Sequence, residues 1–549
     1  MRRIAACASL AITATACASA PPSANGSAPT PSGPRVCAIL SVNDSYRMEP
    51  SPDGTGGMAR VRTLRKKLEE KYPDLLVMHA GDFLFPSLLS RQYQGAQMID
   101  ALNHMDGSDA FDPRLLVTFG NHEFDDDRAT VVQGRLRESA FRWVSSNIEF
   151  ATLPSGVPAV PKDKVAEDVV LSCGGIQVGV FGLTTDEKSG PYIARFLDPV
   201  ETARARSKAL RDRGAEVVVG LTHLSIDEDA EVLGELGAAG PDLIVGGHEH
   251  AHQTREVGGR WVYKADADAH TANVITITLG PAGVATHHEW VTVDESAAPQ
   301  DPDMKSLVDG WIARHEKVYC ETKMKLQSGC LEERLTVAGA ELVAEELSIR
   351  RFETNLGDYV VDRALGAFSK DGAQIAFLNA GTLRLNYNVA KGTPITRRNV
   401  EELFAYPAPM RLIEITGATL QKVLDRAVSG WTGQGHWLQI AGFAYRHDPK
   451  TGKATDLTLL GPNPRRIAPE DKLRAVVISF LLDPAKGQDG YKMIGPSDII
   501  DKLGPDLTVG PDLKEIVTAS FREAGEKGIA PALDGRICNT ERPGPCLAK

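Results

Sequence analysis

Five short apolar runs in the first half of the chain each end in side chains that bind cations or move protons. Val36–Val42 leads into Asn43-Asp44-Ser45-Tyr46, and Leu75–Met78 into His79-Ala80-Gly81-Asp82. Leu115–Phe119 leads into Gly120-Asn121-His122-Glu123, Val217–Leu221 into Thr222-His223, and Leu243–Val245 into Gly246-Gly247-His248-Glu249-His250. Carboxylates, an amide oxygen and imidazoles converging on one rim are the donor set that a pair of divalent ions needs. One carboxylate must bridge the ions, which lie about 3.5–4 Å apart in two-metal hydrolases. Asp82, alone on a glycine turn, is the natural bridge. Any one of these residues reads equally well as a helix cap or a strand terminator; five such ends in one chain point to a site.

The elements that must position these residues are legible in the pattern. Short apolar runs that stop at glycine turns read as buried strands of an α/β sheet, whose carboxyl ends are where such sheets bind ligands. Between the first two strands, Met58, Val61, Leu64 and Leu68 recur at helical spacing with Arg, Lys and Glu between them, predicting a helix over roughly 58–72. Further strands are expected at Ile176–Leu183, 262–264 and 273–279, closing the unit near residue 294. His79, His252 and His270 lie near these motifs as supporting or surface groups, and Asp266 and Asp268 follow a strand in position to support the site.

The 549-residue chain is 42% hydrophobic and 24% charged, enough for two to four domains with ordinary cores. Its net charge of −11 excludes the broad basic surface of a nucleic-acid binder. Met1-Arg2-Arg3 and a small apolar run over 4–16 read as an export signal. Ala14-Thr15-Ala16 before Cys17 resembles a bacterial lipoprotein cleavage site; the alternative is plain secretion with cleavage after Ala18 or Ala20. Residues 18–35 form a Pro/Ser/Gly-rich tether. The expected location is therefore the periplasm or cell envelope of a bacterium, with a lipid on Cys17 as the membrane contact. Export permits disulfides. Cys320–Cys330 and Cys538–Cys546 would close short loops, while Cys37 and Cys173 are either a bridge or two buried thiols.

In their order, Asp44-x-Tyr46, Gly81-Asp82, Gly120-Asn121-His122-Glu123, Thr222-His223 and Gly247-His248-x-His250 resemble the motifs of calcineurin-like metallophosphoesterases, in particular the 5'-nucleotidase / UDP-sugar hydrolase family. The resemblance implies a four-layer α/β/β/α sandwich and two divalent ions (Mn, Zn, Mg or Co). Asp44, Asp82 and His250 would hold one ion; Asp82, Asn121, His223 and His248 the other. His122 would not bind metal but would stabilise the transition state or protonate the leaving oxygen, oriented by Asp125. The family usually has His where this chain has Tyr46. A branch with Asp-x-Tyr followed by Gly-Gly-x-Ala-Arg fits better, through Gly56-Gly57-Met58-Ala59-Arg60. Tyr46 then either binds a harder ion such as Fe³⁺, leaves its site one ligand short, or packs beside it.

The second half carries its own markers. Residues 296–318 turn helical, with Met304, Leu307, Trp311 and His315 three to four apart, as a linker helix would. Then come Glu353-Thr354-Asn355-Leu356-Gly357, Asn379-Ala380-Gly381-Thr382-Leu383-Arg384, Trp437-Leu438-Gln439-Ile440-Ala441-Gly442 and Gly487-Gln488-Asp489-Gly490-Tyr491. Two aromatics and an arginine on glycine loops suggest a slot for a flat ring with a polar handle. These motifs resemble the C-terminal domain of the same family. By that resemblance Trp437 and Tyr491 would sandwich a nucleobase, while Arg384, Asn379 and Asp489 would hold polar groups of the nucleotide.

The expected organisation is a signal peptide (1–17), a tether (18–35), a metallophosphoesterase domain (36–295), a linker helix (296–318) and an α/β nucleotide-specificity domain (319–549). The expected reaction is 5'-nucleotidase-type hydrolysis of a nucleotide phosphate ester, a metal-activated hydroxide attacking phosphorus with His122 assisting. Alternatives on the same site are UDP-sugar pyrophosphatase and 2',3'-cyclic nucleotide phosphodiesterase activity. An alternative of another class is a non-catalytic nucleotide-binding lipoprotein.

Overall fold

The computed structural model describes residues 33–152, 160, 164–187, 189–431, 434–542 and 544–548. The signal peptide, Cys17 and the tether up to residue 32 lie outside the described residues. In the first half, strand Arg35–Val42 pairs parallel with Leu76–His79 and antiparallel with Thr271–Gly280, near the middle of a seven-stranded sheet. A six-stranded sheet faces it, built around Ile176–Thr184, Val217–His223 and Leu243–Gly246. Alternation along the first strand shows how the layers form. Cys37 and Ile39 point into the core between the sheets, while Ala38, Leu40 and Val42 point to the opposite face. Helices Met58–Lys71, Ala96–Asn103 and Ala129–Glu138 cover that outer face; Pro199–Asp212 and Ile226–Leu236 cover the other sheet. These are the four layers expected.

Helix Pro302–Lys317, expected as a linker, packs into the outer core of the first half through Met304 and Val308. It continues as a π-helical turn over Val318–Lys323, where Cys320 is bridged to Cys330. Cys37–Cys173 and Cys538–Cys546 are also bridged, so the open alternative for Cys37 and Cys173 resolves as a disulfide. It ties the first strand of one sheet to a strand of the other. The second half has a four-stranded sheet in the order Met410–Thr416, Lys472–Ile478, Ile375–Asn379, Leu438–Ala441, beside a second four-stranded sheet. Asn355–Ala367 is a helix capped by the Thr354 hydroxyl, and Arg397–Leu403 one capped reciprocally by Thr396 and Asn399.

Candidate metal centre

The strand ends converge because the turns after them are built on contacts that only glycine permits. Gly81 and Gly120 press against each other, each at the end of a neighbouring strand, and a Cβ on Gly120 would overlap the Asp82 carboxylate. Glu123 ties these turns together. Its buried carboxylate accepts N–H bonds from Asp82 (2.9 Å) and Gly120 (2.6 Å) on one oxygen, and from Phe83 (2.9 Å) and Leu84 (3.1 Å) on the other. Burial and the Asp82 charge push its pKa up to about 7 against the pull of those donors. Asp44, Asp82, His248 and His250 all have positive φ (50°, 59°, 95° and 62°). Left-handed backbone at four non-glycine residues costs of order 1–3 kcal/mol each and clusters at functional sites.

Asp44, Asp82 and His250 each offer a donor atom within 4.8 Å of the other two. His250 Nε2 lies 3.2 Å from Asp44 Oδ1, and His223 Nε2 3.2 Å from Asp82 Oδ2. His248 stands beside His223, ring centroids 5.2 Å apart, and its backbone N–H donates to Asp44 Oδ2 at 2.9 Å. The Asn121 amide oxygen is buried and has no hydrogen-bond partner among the described residues. These residues fit a cation pair on observations independent of any ion. An orphaned buried acceptor is costly unless something fills it. Both buried imidazoles are held from Nδ1, His223 by the Ala80 carbonyl (2.6 Å) and His250 by Glu346 Oε2 (2.6 Å), which aims Nε2 at the carboxylates. Burial alone would raise the Asp44 carboxyl, but His223 and His250 hold it far below the usual carboxylate range. Against burial, Asp82 and Asp44 carry His223 up to about 10, and Glu346 and Asp44 carry His250 up to about 9. A cation taking Nε2 of either ring would displace that proton.

Tyr46 lies inside this group. Its hydroxyl is 2.9 Å from His250 Nε2, 3.2 Å from Asp82 Oδ2 and 3.5 Å from Asp44 Oδ1. Burial, with the charges of Asp82 and Asp44, pushes its pKa well above 10, so the phenol keeps its proton among these groups. Asp268 fixes the Tyr46 backbone by accepting its N–H at 2.8 Å. Asp266 instead serves His252, away from the carboxylates. His122 stands off to one side, with Nδ1 3.0 and 3.1 Å from the two Asp125 oxygens, and its backbone N–H donates to Asp82 Oδ1 at 2.7 Å. Behind His223 and the His248–His250 loop, the buried Lys264 ammonium joins Asp229 (3.0 Å), Glu249 (2.6 Å) and the Leu224 carbonyl.

The second half faces this centre. Tyr406 donates its hydroxyl to Asp125 Oδ2 at 2.6 Å, and the Arg384 guanidinium lies 6.0 Å from the Tyr406 ring. Asn379 donates to Asp489 Oδ2 at 2.6 Å, bringing those two expected residues together. Of the expected aromatic pair, Trp437 is 1% and Tyr491 0% exposed, both packed in the core of the second half. The Tyr491 hydroxyl donates to the His436 carbonyl. Four residues near the site had no assigned role in the motifs: Glu123, Glu187 (3.6 Å from His248), Glu346 and Tyr406. Glu123 was visible as an acid directly after the turn imidazole; the other three carry no spacing signal.

The calcineurin-like phosphoesterase family profile matches residues 38–252, and the 5'-nucleotidase C-terminal domain profile matches 335–496. The chain is 25% identical over 543 residues to the trifunctional nucleotide phosphoesterase protein YfkN of Bacillus subtilis, with 91% of this chain and 34% of that protein covered. It thus spans about a third of the length of YfkN. It is 23% identical over 563 residues to the 5'-nucleotidase of Bos taurus, covering 92% of this chain and 91% of that one. Among solved structures, a 5'-nucleotidase precursor from Thermus thermophilus superimposes with a TM-score of 0.76 at 24% identity, over 92% of this chain and 100% of that chain. A sulfate thiohydrolase, SoxB, superimposes with a TM-score of 0.69 at 18% identity, over 93% and 98% respectively.

Proposed function

We propose that this chain, which belongs to the calcineurin-like phosphoesterases with a 5'-nucleotidase C-terminal domain, hydrolyses phosphate monoesters of nucleotides. The observation that carries the reading is the convergence of Asp44, Asp82 and His250 beside the His122–Asp125 pair. One ion would be held by Asp44, Asp82 and His250, with the Tyr46 hydroxyl beside it, and a second by Asp82, Asn121, His223 and His248. Such ions, when bound, supply positive charge against the phosphoryl oxygens and make water acidic enough to attack near neutral pH. The chain's own residues do the rest. Asp125 fixes His122 through Nδ1, which leaves Nε2 to carry a proton to the departing ribose oxygen, a contribution of about 10²–10⁴-fold. On the facing side, Arg384 offers a cation, and the Asn379–Asp489 pair offers polar contacts to the nucleotide. The disulfides and the apolar leader support an exported, cell-envelope protein with a lipid on Cys17.

The test is phosphate release from AMP by the metal-stripped protein, before and after Mn²⁺, Zn²⁺, Mg²⁺ or Co²⁺ is restored. UDP-glucose and 2',3'-cyclic AMP run alongside because YfkN is described as trifunctional. Metal-dependent release from AMP is expected, with His122→Ala losing about 10²–10⁴-fold in kcat while keeping its metal. Release only from UDP-glucose or the cyclic substrate would replace the monoesterase reading. Tight nucleotide binding with no release in any metal would make the chain a binding protein. Unchanged turnover in His122→Ala would refute the role given to that residue.

A further inference from the structure

The two orienting contacts of the active centre are completed by residues more than fifty positions beyond the matched phosphoesterase segment. His250 Nδ1 meets Glu346 Oε2 at 2.6 Å, and Asp125 Oδ2 accepts the Tyr406 hydroxyl at 2.6 Å. The Glu346 contact is buried; Tyr406 is 37% exposed and is placed by the helix before it. Glu346 is buried and also ion-paired to Arg350. It opens the short helix Glu346–Ile349, which the Glu345 side chain caps and Asn388 anchors from outside by accepting the N–H groups of Ala344 and Glu345. Tyr406 follows helix Arg397–Leu403, which the first half grips at two points. Arg47 pairs with Glu402 at 3.2 Å; Arg91 pairs with Glu401 at 3.2 Å and bonds the Phe404 carbonyl.

We propose that the second domain supplies two positioning residues to the first: Glu346 fixes the ring of His250 so that Nε2 faces Asp44 and Asp82, and Tyr406 fixes Asp125 and, through it, His122. The inference rests on the metal and proton roles assigned above. Its consequence is a division of labour. Losing the Glu346 contact frees the His250 ring to rotate away from Asp44, which weakens cation binding. Losing the Tyr406 contact leaves the cations in place but lets the His122–Asp125 pair drift from the reacting oxygen. An imidazole held by a carboxylate is a stronger and better aimed donor, and removing such an outer partner typically costs about 10–100-fold in metal affinity or activity.

The experiment uses the full chain and separates the two arms. Mn²⁺ affinity is measured calorimetrically on stripped wild type, Glu346→Ala and Glu346→Gln, with no substrate present. The expected result is a Kd for the tighter-affected site weakened about 10–100-fold in Glu346→Ala, with Glu346→Gln between the two because its amide oxygen still accepts from Nδ1. Glu346→Gln keeps the volume beside Arg350, so it answers the question if Glu346→Ala fails to fold. Tyr406→Phe, assayed at saturating Mn²⁺, is expected to lose about tenfold or more in kcat with KM and Mn²⁺ affinity unchanged. Wild-type Mn²⁺ affinity in folded Glu346→Gln and Glu346→Ala overturns the first arm. A raised KM with kcat intact in Tyr406→Phe overturns the second, making Tyr406 a substrate contact. The Mn²⁺ arm needs no turnover, so absence of any phosphoesterase activity sinks the proposed function without touching the Glu346 result.

Discussion

Glu123 offers the sharpest test of how the centre is held, because its replacement by glutamine keeps the side chain's size while halving the acceptor count and removing a charge buried beside Asp82. The carboxylate accepts four backbone N–H bonds, two on each oxygen, from the turns that carry Asp82 and Asn121. In Glu123→Gln one oxygen becomes an amide nitrogen. Two of the four N–H groups then face a donor in a site with no exposure to solvent. A buried donor left unsatisfied costs about 1–3 kcal/mol, so two orphaned donors cost about 2–6 kcal/mol, offset in part because the amide buries no charge beside Asp82. That is a large part of the total stability of a typical domain, about 5–15 kcal/mol. The assay is urea unfolding of the stripped protein at pH 8, above the value to which burial pushes this carboxyl, so the wild type is compared in its ionised form. A lowered midpoint with an unchanged slope reports lost stability rather than an altered unfolded state. Because the same bonds set the Gly81–Asp82 turn against Gly120–Asn121, Mn²⁺ affinity should fall with it. A Glu123→Gln protein within about 1 kcal/mol of wild type and with unchanged Mn²⁺ affinity would refute the idea that this carboxylate is the tie between the turns.

Two further predictions concern the scaffold. Cys37–Cys173 closes a separation of 136 residues and Cys320–Cys330 one of 10. Loop-closure entropy therefore predicts losses of about 5 and about 3 kcal/mol for the respective double alanine variants in urea unfolding, and equal losses would refute it. In the second half, burial, opposed by Arg536 and reinforced by Glu353 and Asp534, pushes the Asp358 carboxyl up to about 9. The folded protein thus keeps a proton that the unfolded chain releases near pH 4, so stability falls as pH rises from about 4 to about 9. Asp358→Asn should flatten that slope in thermal melts; curves parallel to wild type would refute it.

The strand ends were legible in the sequence because each is local: an apolar run followed at once by polar side chains, in three of the five cases on a glycine turn. The chain realises all of them, and Arg35–Val42, Leu76–His79 and Leu243–Gly246 fall within a residue or two of their expected bounds. The burial of Trp437 and Tyr491 has an equally physical cause. A motif marks a position that the fold needs, and the need can be packing. Gln439, from the second-half motif around Leu438, bonds the carbonyls of Ile349 and Phe352, and a Cβ on Gly357 would strike its side chain. The glycine and the glutamine therefore fit two buried segments to each other, and the aromatics of these motifs pack in the same core. Periodicity cannot distinguish a ring that stacks on a ligand from one that stacks in the interior.

Glu346 and Tyr406 escaped for the opposite reason: their partners are far away in the chain. Tyr406 reaches an acid 281 positions earlier, and Glu346 an imidazole 96 positions earlier, so no spacing rule relates them. Their neighbourhoods also advertise something else, a short capped helix for Glu346 and a proline-rich bend for Tyr406. Only the seating of the second half on the first turns them into parts of one centre. The Glu346 contact to His250 and the Tyr406 contact to Asp125 both come from the second half. The second half is thus more than a recognition module appended to a finished hydrolase. On the proposed reading, Arg384 and the Asn379–Asp489 pair ride on the same half as Glu346 and Tyr406, so displacing that half from the first would break the contacts to His250 and Asp125 together.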